Sequence, residues 1–124
     1  MALSYTIDPS RRRIILRAWG VLRETDIVGA RTRLHADPSF DSAYDELFDA
    51  SDVDDFALSK ETMSRLVDST ILVPSNRRAF VAKTTLQFGM TQMFVSVSES
   101  RNHSVQVFRE RAEAEAWLDS PKTI

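Results

Sequence analysis

Carboxylates and a hydroxyl are the groups in this chain with chemistry to offer, and they lie close together. Asp49, Asp52, Asp54 and Asp55 form one acidic cluster, and Ser59 follows soon after it. Carboxylates at a strand end can hold Mg²⁺, as in phosphoryl-transfer sites. The spacing does not make a calcium loop, since no Gly stands at the turn position and no Glu closes the loop at the required distance. The other reading is a set of solvated side chains near the positive N-terminus of the helix that follows, and it needs no metal. His35 falls at a helix end, where it suits the C-terminal dipole, and His103 falls just before the last strand. Neither has a neighbouring His or Cys. No elbow motif presents a nucleophilic Ser, and the three Gly stand singly at positions 20, 29 and 89, so no phosphate-cradling loop exists. The expectation is a protein without metal or cofactor, and not an enzyme.

The elements that must position these groups can be read from periodicity. Ser4–Asp8 alternates, Pro9-Ser10-Arg11 turns, and Arg13–Trp19 reads as a longer strand, which predicts an antiparallel hairpin. The run Arg11-Arg12-Arg13 reads as solvation and edge protection at the hairpin tip. Gly20 is expected to break the second strand, and Glu24 and Asp26 open a helix that runs to about His35 and stops before Asp37-Pro38. Its inner stripe is Ile27, Ala30 and Leu34, with Arg31 and Arg33 turned outward. Residues 44–49 form the third strand, 50–58 an acidic loop, and 60–67 a helix capped by Ser59. After a break at 73–76 come a fourth strand at 78–83, a helix at 86–98, a fifth strand at 105–108 and a last helix at 109–118, whose Ala114, Trp117 and Leu118 can pack on the sheet. The order ββαβαβαβα predicts an α/β fold with one five-stranded mixed sheet, antiparallel at its N-terminal hairpin and parallel elsewhere, in one domain over 1–124.

In the third helix Leu86, Met90, Met93, Phe94 and Val97 recur at the spacing of one buried face. Phe88 and Val95 fall away from that stripe, where a partner surface can begin. Composition narrows the classes further. A formal net charge of −2 supplies no field to draw in nucleic acid or an anionic membrane. With no Cys, disulfides and thiolate chemistry are excluded, and a start without a signal-peptide pattern points to the cytoplasm.

The chain resembles the bacterial STAS superfamily, and within it the small stand-alone SpoIIAA-like proteins. The residues that carry the resemblance are Trp19-Gly20, His35-Ala36-Asp37-Pro38-Ser39-Phe40, Leu47-Phe48-Asp49, and Val107-Phe108 followed by Ala114-Glu115-Ala116-Trp117-Leu118. The resemblance implies a SpoIIAA-like fold and a regulatory domain that binds a protein partner. In the antagonist branch a strand-ending Asp is followed ten residues later by a Ser that a partner kinase phosphorylates. Asp49 and Ser59 have that spacing, although Leu58 precedes Ser59 and Lys60-Glu61 follow it, unlike the family's Asp-Ser-Ser/Thr-Gly setting. The interaction surface implied here is Asp49, Asp52, Asp54, Asp55 and Ser59 together with Phe88 and Val95. The alternative is a module for a lipid or nucleotide, with Met90, Met93 and Phe94 lining its pocket. An edge strand or apolar helix face also leaves room for a homodimer.

Overall fold

The structure, a computed structural model, describes residues 2–70, 76–101 and 103–121. Among the described residues nine elements follow in the expected order: β1 (Leu3–Asp8), β2 (Arg13–Arg23), α1 (Glu24–Ala36), β3 (Asp45–Ala57), α2 (Lys60–Asp68), β4 (Arg77–Val81), α3 (Thr85–Glu99), β5 (Ser104–Phe108) and α4 (Arg111–Asp119). The strands lie side by side in chain order, β1 antiparallel to β2 and every other pair parallel. β4 is buried along its whole length, as a central strand covered on both faces should be. Within the expected break at 73–76, residues 73–75 lie outside the described residues.

Alternation along the strands sorts side chains between two faces. Ile14, Leu16, Ala18, Phe48, Ala50 and Phe80 face one core, where α1 packs on β1 and β2, and α3 on β3 and β5. Ile15, Leu47, Ala79 and Val81 face the other, closed by Ala114, Leu118 and Trp117 of α4. Arg13 also belongs to this second face. It is 2% exposed rather than solvated at the hairpin tip: Nη2 donates to Asp119 at 2.6 Å, while Nε and Nη1 have no partner among the described residues.

Two strands run further than their sequences predict. β2 does not end at Gly20 and β3 does not end at Asp49; both continue as a two-stranded arm beyond the rest of the sheet. Register shifts between Arg17 and Trp19 and between Gly20 and Val21 place extra β3 residues opposite β2. Gly20 takes φ +63°, a left-handed value that a residue with a Cβ disfavours. Bulges of this kind turn a strand without ending it, and so Gly20 bends the arm. The acidic stretch 50–57 is therefore strand, not loop.

Helix α3 is rotated from its expected phase. Its buried residues are Gln87, Thr91, Val95 and Ser98, whereas Leu86 is 48% and Met93 39% exposed. The cause is a buried amide. Gln87 Oε1 accepts from the backbone N–H groups of Lys83 and Thr84, and Nε2 donates to the carbonyls of Ser51 and Val53 in the arm. Beyond Asp49, β3 has no β4 residue beside it, and those carbonyls need another donor. Gln87 supplies it and fixes which face of α3 turns inward.

Candidate ligand pocket

A cavity of about 80 Å³ lies between the sheet and α1, α2 and α3. Its floor is Ile14 and Leu16 of β2, Phe48 of β3 and Phe80 of β4, and its walls include Ile27, Leu34, Met63, Met90 and Phe94. The Phe80 ring meets Phe48 at 5.3 Å and Phe94 edge-on at 5.1 Å, so the aromatic part of the lining is a packed cluster with defined geometry. Phe56 and Leu58 close the end toward α2, which the continued strand β3 makes possible.

Among the described residues, three charged side chains break this apolar lining. Arg78 is 3% exposed; its Nη2 donates to Thr70 Oγ1 and its Nε lies 3.7 Å from Glu46 Oε2. Arg31, expected to turn outward, lines the cavity instead. Its Nη1 donates to the Leu66 carbonyl at 2.6 Å and to Ser69 Oγ at 3.3 Å, tying α1 to the end of α2. Burial lowers the pKa of both guanidiniums; the charge of Glu46 opposes the shift at each, and Arg78 adds to it at Arg31. Both remain cations, because guanidinium deprotonates only far above neutral pH. The signal for Arg31 was present in the sequence: it stands four residues after Ile27 and three before Leu34, on the stripe that faces inward. Arg78 and Glu46 are register partners on the two central strands. Charged residues inside apolar strand segments are the corresponding signal there.

Helix α2 covers one side of the cavity with Met63, Leu66 and Val67 buried beneath it. Polar contacts hold it in place. Arg65 reaches Glu24 of α1 at 3.0 Å, and Arg101, just past α3, pairs with Asp68 and donates to Ser64 at 2.8 Å. Ser59 caps its N-terminus as expected, accepting from the Thr62 N–H at 3.1 Å and donating to Thr62 Oγ1 at 3.0 Å.

The acidic cluster is not brought together. Asp49 is half-buried, accepts from the Ser51 N–H and hydroxyl, and lies 3.9 Å from Arg111 of α4. Asp52 is exposed and paired with Arg17 at 2.7 Å. Asp54 and Asp55 are exposed on the arm, with Asp55 accepting from the Phe56 N–H. Eight extended residues, Asp49 to Phe56, carry the chain away from Asp49 before Ser59, so the two are not neighbours. Among the described residues no group of His and carboxylate side chains is arranged to hold a metal ion.

Of the remaining expectations, Phe88 is half-buried beneath the Arg109 guanidinium at 4.2 Å. Val95 is 7% exposed and belongs to the core, not to a partner surface. Met90 and Phe94 do line the pocket, but Met93 points away from it. Among the described residues no helix is long and apolar enough to cross a membrane.

No family model matches the sequence, and no curated protein is similar to it. Among solved structures it is similar to an uncharacterised protein of the DUF3478 family from Shewanella loihica PV-4, described as having a SpoIIAA-like fold. The two share 17% identity with a TM-score of 0.67, over 94% of this chain and 93% of that one. Strand order, the N-terminal hairpin and the alternating helices agree with that likeness, and the chain has a SpoIIAA-like fold.

Proposed function

We propose that this chain is a cytoplasmic, non-enzymatic STAS-type domain that binds a small amphipathic molecule in the cavity beneath α2. The observation that carries this reading is the pair Arg31 and Arg78, set with Glu46, Thr70 and Thr91 into a largely apolar lining. Burying a charge costs several kcal/mol even after relaxation, by general estimates, and hydrophobic replacements are often at least as stable. Apolar cavities with a few convergent polar groups are the usual form of small-molecule sites. Among the described residues the lining holds Glu46 as its one carboxylate and no His, Cys or Lys, which favours binding over turnover. Native mass spectrometry of protein purified without denaturation tests the reading. The expected result is a co-purified small molecule, or a thermal shift with members of an amphiphile panel. Bare protein that no amphiphile stabilises is the result against it.

A second reading, a phosphorylation-regulated domain for a protein partner, is favoured by the contacts of Ser59. Its hydroxyl meets Thr62 Oγ1, to which Arg65 Nη2 also donates at 3.2 Å while holding Glu24. Phosphate on Ser59 would add about two negative charges at the start of α2 and compete with Glu24 for Arg65. The contact between α1 and α2, above the cavity, would then loosen. Affinity capture with wild type, Ser59→Ala and Ser59→Asp tests this. A protein partner kept by Ala and lost by Asp, with phosphate found on Ser59, supports the switch. The same partners with all three versions count against it.

A further inference from the structure

We infer that the ligand is a short apolar carboxylic acid, bound as the carboxylate with its charged end against Arg31 and Arg78 and its hydrocarbon over Phe48, Phe80 and Phe94. This rests on the ligand-binding reading above and specifies its chemistry. Charge comes first. Among the described residues, two guanidiniums and one carboxylate, Glu46, line the cavity and leave its polar end with one uncompensated positive charge. His103 feels Arg78 but adds little charge at neutral pH, because burial first, then Arg78 and Arg101, hold its pKa below the ordinary value. A monoanion neutralises this end; a neutral alcohol does not, and an amine opposes it.

Donors come second. Arg31 spends Nη1 on α2, and Arg78 spends Nη2 on Thr70 and directs Nε toward Glu46. Nε and Nη2 of Arg31 and Nη1 of Arg78 have no partner among the described residues. Guanidinium N–H groups match the two oxygens of a carboxylate, and charge-assisted bonds of this kind are the strong ones. Size comes third. The cavity of about 80 Å³ is smaller than a cavity of about 150 Å³ that accepts benzene, so the apolar body must be short.

Butanoate, 1-butanol and butylammonium are the probes, titrated into the full chain and followed by two-dimensional amide NMR. Wild type is expected to bind butanoate about tenfold more tightly than 1-butanol, the ratio one charge-assisted bond supplies. Arg31→Met should remove that preference while 1-butanol still binds, which also reports that the pocket remains formed. Glu46→Gln removes the competing carboxylate and should tighten butanoate several-fold without changing 1-butanol. If Arg31→Met abolishes binding of every probe, Glu46→Gln decides: unchanged or weaker butanoate overturns the inference. Wild type that binds 1-butanol or butylammonium as tightly as butanoate overturns the carboxylate assignment and leaves the pocket reading intact. Wild type that binds none of the three probes overturns both.

Discussion

The Ser59 hydroxyl closes the start of α2 by accepting from the Thr62 N–H, and a helix of nine residues has few other means of holding that end. Ser59→Ala is expected to cost about 1 kcal/mol, a drop of about 3–5 °C in melting temperature for a chain of this size. Ser59→Asp can cap equally well and should melt close to wild type. Circular dichroism melts of the two variants separate the cap from any effect of charge on partner binding. His103 gives a second prediction at this scale. Its pKa is lowered, chiefly by burial and then by Arg78 and Arg101, with Asp68 opposing. A histidine with a depressed folded pKa favours the neutral form on folding. Its stability contribution is complete above the unfolded value of about 6.5 and is lost as pH falls from there through the folded value. Urea midpoints between pH 7.5 and 5 should fall for wild type and flatten for His103→Gln; equal slopes would remove His103 from the account.

At the scale of elements, Gln87 decides how α3 meets the sheet. Its amide bridges two backbone N–H groups at the helix start and two carbonyls of the β2–β3 arm. Gln87→Leu preserves approximate volume but leaves those groups without the amide, at about 1–3 kcal/mol for an unsatisfied buried group such as the Val53 carbonyl. A loss of about 3 kcal/mol or more in denaturant unfolding is expected, with faster amide exchange at Val53 and Lys83; a loss below about 1 kcal/mol would show that water replaces the amide. The same residue explains what the sequence concealed. Hydrophobic spacing places Leu86, Met90 and Met93 inward, yet a polar side chain sets the phase, and periodicity carries no record of a hydrogen bond to a distant strand. The arm was hidden for a related reason. Asp is depleted in strands, so the stretch from Ala50 to Leu58 reads as loop, but pairing with β2 and an open outer face let Asp52, Asp54 and Asp55 remain in water. By contrast, element order and the hairpin are legible because they rest on local periodicity, caps and turn residues. The pocket is half legible: spacing points to Met90 and Phe94, whereas Arg31 reads as outward-facing although its position lies on the inner stripe.

For the whole molecule, the sheet divides the interior into two parts that answer differently to the loss of volume. The face beneath α1, α2 and α3 contains the cavity, with Phe80 in its floor; the face beneath α4 packs Leu47, Ala79 and Val81 against Ala114 and Leu118. Phe80→Ala removes a ring that is 7% exposed and touches Phe48 and Phe94, so a cost of about 3–5 kcal/mol is expected. The lost volume joins the existing cavity, and a ligand that enters the native state alone restores stability according to its saturation, about 2.7 kcal/mol at a hundred times its dissociation constant. Val81→Ala on the α4 face should cost about 2 kcal/mol and leave too little space for a guest. Thermal melts of both variants with and without 1-hexanol therefore distinguish a binding pocket from an ordinary core. Recovery is expected for Phe80→Ala and not for Val81→Ala. Equal recovery of the two would mean that the alcohol acts on the solvent or the surface, and that the cavity beneath α2 is packing space with no claim to a ligand.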